Sequence, residues 1–109
     1  MISDVIEIKA KLTLYSTDSG GRKTGIKSGY RPNHVFEYKD NGTDFKAGYM
    51  GEICFNENHI IKPTESKTVN VEFVSGQNID KYIEIGRIWW IHEGQRKVGE
   101  AEITEIVTE

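Results

Sequence analysis

Residues 5–15 read Val-Ile-Glu-Ile-Lys-Ala-Lys-Leu-Thr-Leu-Tyr. Ile6, Ile8, Ala10, Leu12 and Leu14 hold the even positions, and Glu7, Lys9, Lys11, Thr13 and Tyr15 the odd ones. A period of two sends successive side chains to opposite faces of a strand, so one face meets a core and the other meets water. Shorter runs repeat the theme. Residues 35–38 and 50–55 are β-rich, and Val69, Val71 and Phe73 alternate with Asn70 and Glu72. Residues 83–91 are dense in β-branched and aromatic side chains, and residues 98–107 form the closing run. There the apolar positions change phase, from Val98 to Ala101 and Ile103 and then to Ile106. A β-bulge near Gly99 accounts for the first change. Breaks fall at the glycine-rich loop 16–29, at Asp40-Asn41-Gly42, Asn56-Glu57-Asn58, Lys62-Pro63-Thr64-Glu65 and Ser75-Gly76-Gln77-Asn78, and at a tight hairpin over Glu93-Gly94-Gln95. No window of about 12 residues carries helical spacing. Six or seven short strands in a single domain, residues 1–109, predict an all-β barrel or sandwich, because closure hides strand edges.

Composition narrows the function. The chain has 109 residues, 37% hydrophobic and 28% charged, an ordinary balance for a folded domain. Its formal net charge of −3 argues against a protein built mainly to grip a phosphate backbone. The one cysteine, Cys54, cannot form an internal disulfide and reads as a small buried hydrophobe in a strand. Met1-Ile2-Ser3-Asp4 lacks the basic flank and apolar stretch of a secretion signal. No apolar run reaches the roughly 20 residues that cross a bilayer, so a cytoplasmic protein without membrane contact is expected. His34, His59 and His92 lie far apart and make no metal-binding spacing with Cys54. The carboxylates are scattered on polar strand faces, and no serine stands in a nucleophile elbow. Gly20-Gly21-Arg22-Lys23-Thr24-Gly25 lacks the Gly-Lys-Ser/Thr ending of a phosphate loop. These readings predict no catalytic constellation, no metal and no cofactor.

Several segments resemble one known domain. They are Ile8-Lys9-Ala10-Lys11-Leu12-Thr13-Leu14, Gly20-Gly21-Arg22, Ser28-Gly29-Tyr30-Arg31-Pro32, Ile60-Ile61-Lys62-Pro63, and the closing Ile91, Glu93-Gly94, Arg96 and Val98-Gly99. Over residues 7–107 the chain is similar to the C-terminal β-barrel domain of elongation factor Tu, the GTPase that carries aminoacyl-tRNA to the ribosome. The Gly-Tyr-Arg-Pro element is the most specific match. Thr64 stands where that family usually has glycine. The resemblance implies a six-stranded antiparallel Greek-key β-barrel standing alone. The GTP chemistry of the family belongs to another domain and does not transfer. In the full-length factor this barrel contacts the backbone of tRNA, packs on the GTPase domain and helps bind the nucleotide exchange factor.

Two surfaces follow as candidates. The resemblance implies tRNA contacts near Asn33 and near Glu93-Gly94, although His92 replaces an arginine and Gln95 a second glycine. Arg22, Lys23, Lys27 and Arg31 form a basic loop around Tyr30 that can fork an RNA backbone, or instead brace the barrel. The second surface lies on residues 87–92, Arg-Ile-Trp-Trp-Ile-His. Alternation sends Trp89 and Ile91 to one face and Ile88, Trp90 and His92 to the other. In the family pattern a small residue stands at Trp90, on the face the GTPase domain covers. An exposed Ile88, Trp90 and His92 would make an apolar protein-binding patch. The alternative covers Trp90 with the 16–29 loop or with a second copy of the chain, a homodimer. The leading expectation is a non-catalytic protein–protein interaction module with a translation-related partner. The second is tRNA or structured-RNA binding through Arg22, Lys23, Arg31, Asn33, Glu93 and Gly94. A third, from fold analogy alone, is an immunity or decoy protein that mimics the translation factor.

Overall fold

The alternation of residues 5–15 becomes the first strand, β1 (Val5–Leu14), with Ile8, Ala10, Leu12 and Leu14 buried. It is followed by β2 (Asn33–Val35), β3 (Tyr49–Cys54), β4 (Ser66–Val74), β5 (Ile88–Glu93) and β6 (Arg96–Ile106). The computed structural model describes residues 5–108, so the signal-free reading of Met1-Ile2-Ser3-Asp4 lies outside the described residues. The strands close into a barrel in the order β1-β4-β3-β2-β5-β6, and every neighbouring pair is antiparallel. β2, β3 and β4 follow one another as neighbours while β1 returns to lie beside β4, which is the Greek-key arrangement. The described helices are single 3₁₀ turns at Thr17–Ser19 and Asp80–Tyr82, and none is long and apolar enough to cross a membrane.

β6 must serve two neighbours, and it does so with two bulges. Ile91 pairs with Gly99 and His92 with Lys97, which leaves Val98 as an extra residue. This is the bulge expected near Gly99. Lys9 pairs with Glu105 and Ala10 with Ile103, which leaves Thr104 extra and explains the second phase change. At Gly99 the strands approach closely: a Cβ there would lie 2.7 Å from the Thr13 carbonyl oxygen.

Two predicted strands end differently. The run 35–38 leaves the sheet after Val35, and Tyr38 bridges Phe45 in a small irregular hairpin. The run expected to begin at residue 83 begins at Ile88. Gly86 takes φ +91, a turn conformation, and the preceding 3₁₀ turn carries Tyr82 onto Phe36 in a parallel stack at 4.7 Å. Stacking Tyr82 over the barrel end outweighs the β propensity of Ile83 and Ile85. The 16–29 loop is not wholly a surface segment either. Ile26 is buried and exchanges backbone hydrogen bonds with Ile61.

The core centres on Phe36, Phe73 and Trp89, whose rings lie 5.5–6.0 Å apart. One polar side chain sits among them. His34 of β2 is 0% exposed. Trp89 of β5 donates Nε1–H to His34 Nδ1 at 3.0 Å, and His34 Nε2 lies 3.0 Å from the Gly51 carbonyl of β3. Because Nδ1 accepts, the proton resides on Nε2, which donates to Gly51. A neutral ring therefore satisfies every polar group in this knot. Burial pushes its pKa down to about 4, against a small opposing pull from the Gly51 carbonyl.

Two predictions follow. The ordinary His34 value of 6.5 falls to about 4 on folding, so the unfolded chain binds the proton first. Stability is complete above pH 6.5 and declines as pH falls to 4, by about 3 kcal/mol at 1.36 kcal/mol per unit. Urea unfolding across that range checks it, and His34→Leu should flatten the decline while lowering stability at pH 7. The second concerns Thr64, the described non-glycine residue with positive φ, at 77°. A β-branched side chain is strained there. Thr64→Gly should raise stability by about 1 kcal/mol, strain relief outweighing the backbone entropy of glycine, and a thermal melt would show it.

Candidate functional site

The 20–32 loop and the β5–β6 hairpin meet in space. Arg22 pairs with the Glu93 carboxylate through Nη1, and Tyr30 donates its hydroxyl to the same Glu93 oxygen at 2.5 Å. Arg96 reaches the other oxygen at 3.3 Å, and the Arg22 guanidinium lies over the Tyr30 ring at 5.2 Å. Glu93 thus stands at the centre of two arginines and a phenol. Burial alone would raise its pKa, but the hydrogen bonds from Tyr30 and Arg22 outweigh that and lower it. Burial and the Glu93 carboxylate together push the Tyr30 phenol upward. The cluster joins the 20–32 loop to the β5–β6 hairpin, where Gly94 supplies the positive φ of the turn. This is the bracing arrangement. Arg31 makes a separate ion pair with Glu52 at 3.2 Å, while Lys23 and Asn33 are exposed. The six residues expected for RNA contact therefore divide: Arg22, Glu93 and Gly94 build the brace, Lys23 lies exposed beside it, and Arg31 and Asn33 lie elsewhere on the wall.

The face expected for protein contact is corrected in part. Trp89 and Ile91 point inward and are buried, as alternation requires. Ile88 is exposed. Trp90 is half-buried, with the edge of Tyr38 against its ring at 5.3 Å and the Lys97 ammonium 5.5 Å from its centroid. His92 is only 2% exposed, beneath Tyr38 and Phe45, and its Nε2 lies 2.6 Å from the Tyr38 hydroxyl. The chain's own 38–45 hairpin packs over part of this face. His92 is therefore a packing residue, not an exposed contact. Burial lowers its pKa, against the nearby backbone of Gly94, and Lys97 adds to the lowering.

The outer wall carries a different feature on β3, β4 and β1. A groove of about 430 Å³ is lined by Val5, Pro32, Met50, Glu52, Glu72 and Val74. Arg31 and Asn33 line it as well. Met50 is 62% exposed and Val74 45%. Both are large apolar side chains left in water on an otherwise polar face. Cys54 sits beside the groove on β3, half-buried, and its thiol contacts Glu72 Oε2 at 3.6 Å. Burial, with Glu52 and Glu72 nearby, pushes the thiol up to about 11, which makes it a poor nucleophile at neutral pH. Sequence reasoning passed over this groove. Met50 and Val74 each look like ordinary strand residues, and only the register brings them together.

No family model matches the chain.

The brace gives a test. Glu93→Gln keeps the shape and removes the charge. Stability should fall by about 1 kcal/mol, the worth of a charged hydrogen-bond cluster discounted for partial exposure. Tyrosine absorbance titration should show one phenol returning toward the ordinary range.

Proposed function

We propose that this chain is a non-catalytic binding module that docks another protein on its outer wall. The observation that carries the reading is the division of the barrel. Its interior is filled by Ile8, Leu12, Phe36, Phe73, Trp89 and their neighbours, while Met50 and Val74 stand exposed in an outer groove. Exposed apolar side chains gathered beside polar ones mark a protein contact more often than a site of chemistry. The most strongly shifted hydroxyls, Tyr15, Tyr30 and Tyr82, are each held by a carboxylate in a structural hydrogen bond, which suits a scaffold.

The resemblance to the elongation factor Tu barrel makes translation factors the first partners to try. RNA binding ranks second because two of its expected cations, Arg22 and Arg31, are already paired with Glu93 and Glu52. Freeing them would cost the interactions they now make.

Salt and nuclease separate the readings. A protein complex formed by the tagged chain should survive nuclease, and its affinity should change by less than tenfold between about 50 and 200 mM salt. A complex that nuclease dissolves, or whose affinity drops about a thousandfold over that range, would instead establish RNA as the ligand.

A further inference from the structure

We infer that the groove on the β3–β4–β1 wall takes an extended segment of the partner protein, one in which an apolar residue and a lysine or arginine alternate at i and i+2. This rests on the binding-module reading and supplies the chemistry of its partner.

The register writes the groove in rows that run across the strands. Glu72 on β4 stands opposite Glu52 on β3 and opposite Glu7 on β1. Two residues along, Val74 stands opposite Val5, and Met50 follows on β3 one residue past the Gly51–Phe73 pair. Alternation puts all six side chains on the outer face. An apolar row, Met50, Val74 and Val5, therefore borders an acidic row, Glu52, Glu72 and Glu7. Two residues along a strand span about 6.8 Å, the same in the wall as in an extended ligand. A ligand with that alternation sets its apolar side chain on the first row and its cation on the second.

The acidic row is costly to the free protein, since like charges directly opposite repel. Its outer members are compensated. Arg31 Nη2 donates to Glu52 Oε1 at 3.2 Å, and Asn70 Nδ2 donates to Glu7 Oε2. Among the described residues the middle carboxylate, Glu72, receives only the Cys54 thiol at 3.6 Å, a weak donor. Lys9 stands opposite Asn70 in the next row and enters none of the ion pairs among the described residues. The wall thus holds an under-compensated anion next to exposed apolar side chains, and a basic–apolar chain complements both. The carboxylates also lie on three separate strands, and among the described residues no His, Cys, Asp or Glu group is placed to hold a metal ion. An elongated cationic ligand suits that spread better than a point charge.

The groove is preformed. Beyond the Gly51–Phe73 pair, a side chain replaces the next rung. Met50 N–H donates to Gln77 Oε1 at 2.7 Å, and Gln77 Nε2 donates to the carbonyls of Met50 and Val74 at 2.9 and 2.8 Å. Both strand ends are fixed before anything binds, which lowers the ordering cost of association.

The test is a titration of ¹⁵N-labelled protein with the capped synthetic hexapeptide Val-Ser-Lys-Ser-Val-Ser, which sets valine and lysine two residues apart on one face of an extended chain. Saturable shifts are expected at the amides of Met50, Glu52, Glu72 and Val74 and at the Gln77 side chain. Glu72→Gln should weaken the peptide about fivefold or more while its unfolding midpoint holds or rises, because it relieves repulsion. Val74→Ser should weaken it too. Peptides with serine for valine, or glutamate for lysine, should not bind. Shifts centred elsewhere, no binding at millimolar peptide, or equal binding by Glu72→Gln would overturn the groove. Capture of a protein partner undiminished by Glu72→Gln would likewise overturn it and leave the binding-module reading in place.

Discussion

A barrel of six strands in which one strand is three residues long needs something other than its ladder to hold that strand. Here it is the buried imidazole of His34. From β2 it accepts the Trp89 indole proton of β5 and donates to the Gly51 carbonyl of β3. β2 pairs through only two rungs with β3 and three with β5, so these side-chain bonds bear directly on whether the cylinder closes. They also set the core geometry. Trp89, placed by its bond to His34, lies against Phe36 and Phe73, and Phe36 in turn receives Tyr82. A polar ring at the centre of an apolar core is tolerable only because each of its nitrogens is used.

With the inside filled, the features that distinguish this wall from a bland one are on its outer surface: the brace at Glu93, the covered face at Trp90, and the groove between Met50 and Val74. The first two hold the structure together. Arg22, Tyr30 and Arg96 converge on one carboxylate and tie the long first connection to the last hairpin. Tyr38, Phe45 and Lys97 cover Trp90 and His92. The groove differs in that Met50 and Val74 stay exposed beside Glu72, the least compensated of its three carboxylates.

Much of this was legible in the chain. Residues 5–15 announce β1 because one face is apolar over the whole run, and a half-buried strand leaves no other pattern. The inward turn of Trp89 and Ile91 and the bulge near Gly99 follow from alternation and its interruption. What the sequence hid are facts of position across strands. Ile83 and Ile85 carry strong β propensity, yet a turn at Gly86 takes them out of the sheet. His92 looked exposed because alternation says only which side it faces, not that the 38–45 hairpin folds over it. The rows Met50–Val74–Val5 and Glu52–Glu72–Glu7 draw on residues dozens of positions apart, and no local window contains them. Thr64 shows the reverse case. The backbone kept its left-handed turn although the side chain disfavours it, because Thr64 N–H and the Leu14 carbonyl remain bonded at 3.0 Å.

The first and last strands are neighbours, since β1 pairs with β6 from Ile8 to Leu14. During synthesis on the ribosome, β1 to β4 emerge early and can pair among themselves. The cylinder stays open until residues 96–106 clear the exit tunnel, with one edge of β1 and one of β5 unsatisfied until then. Completion is thus a single late event, and the nascent chain is most exposed to mispairing in the interval just before it.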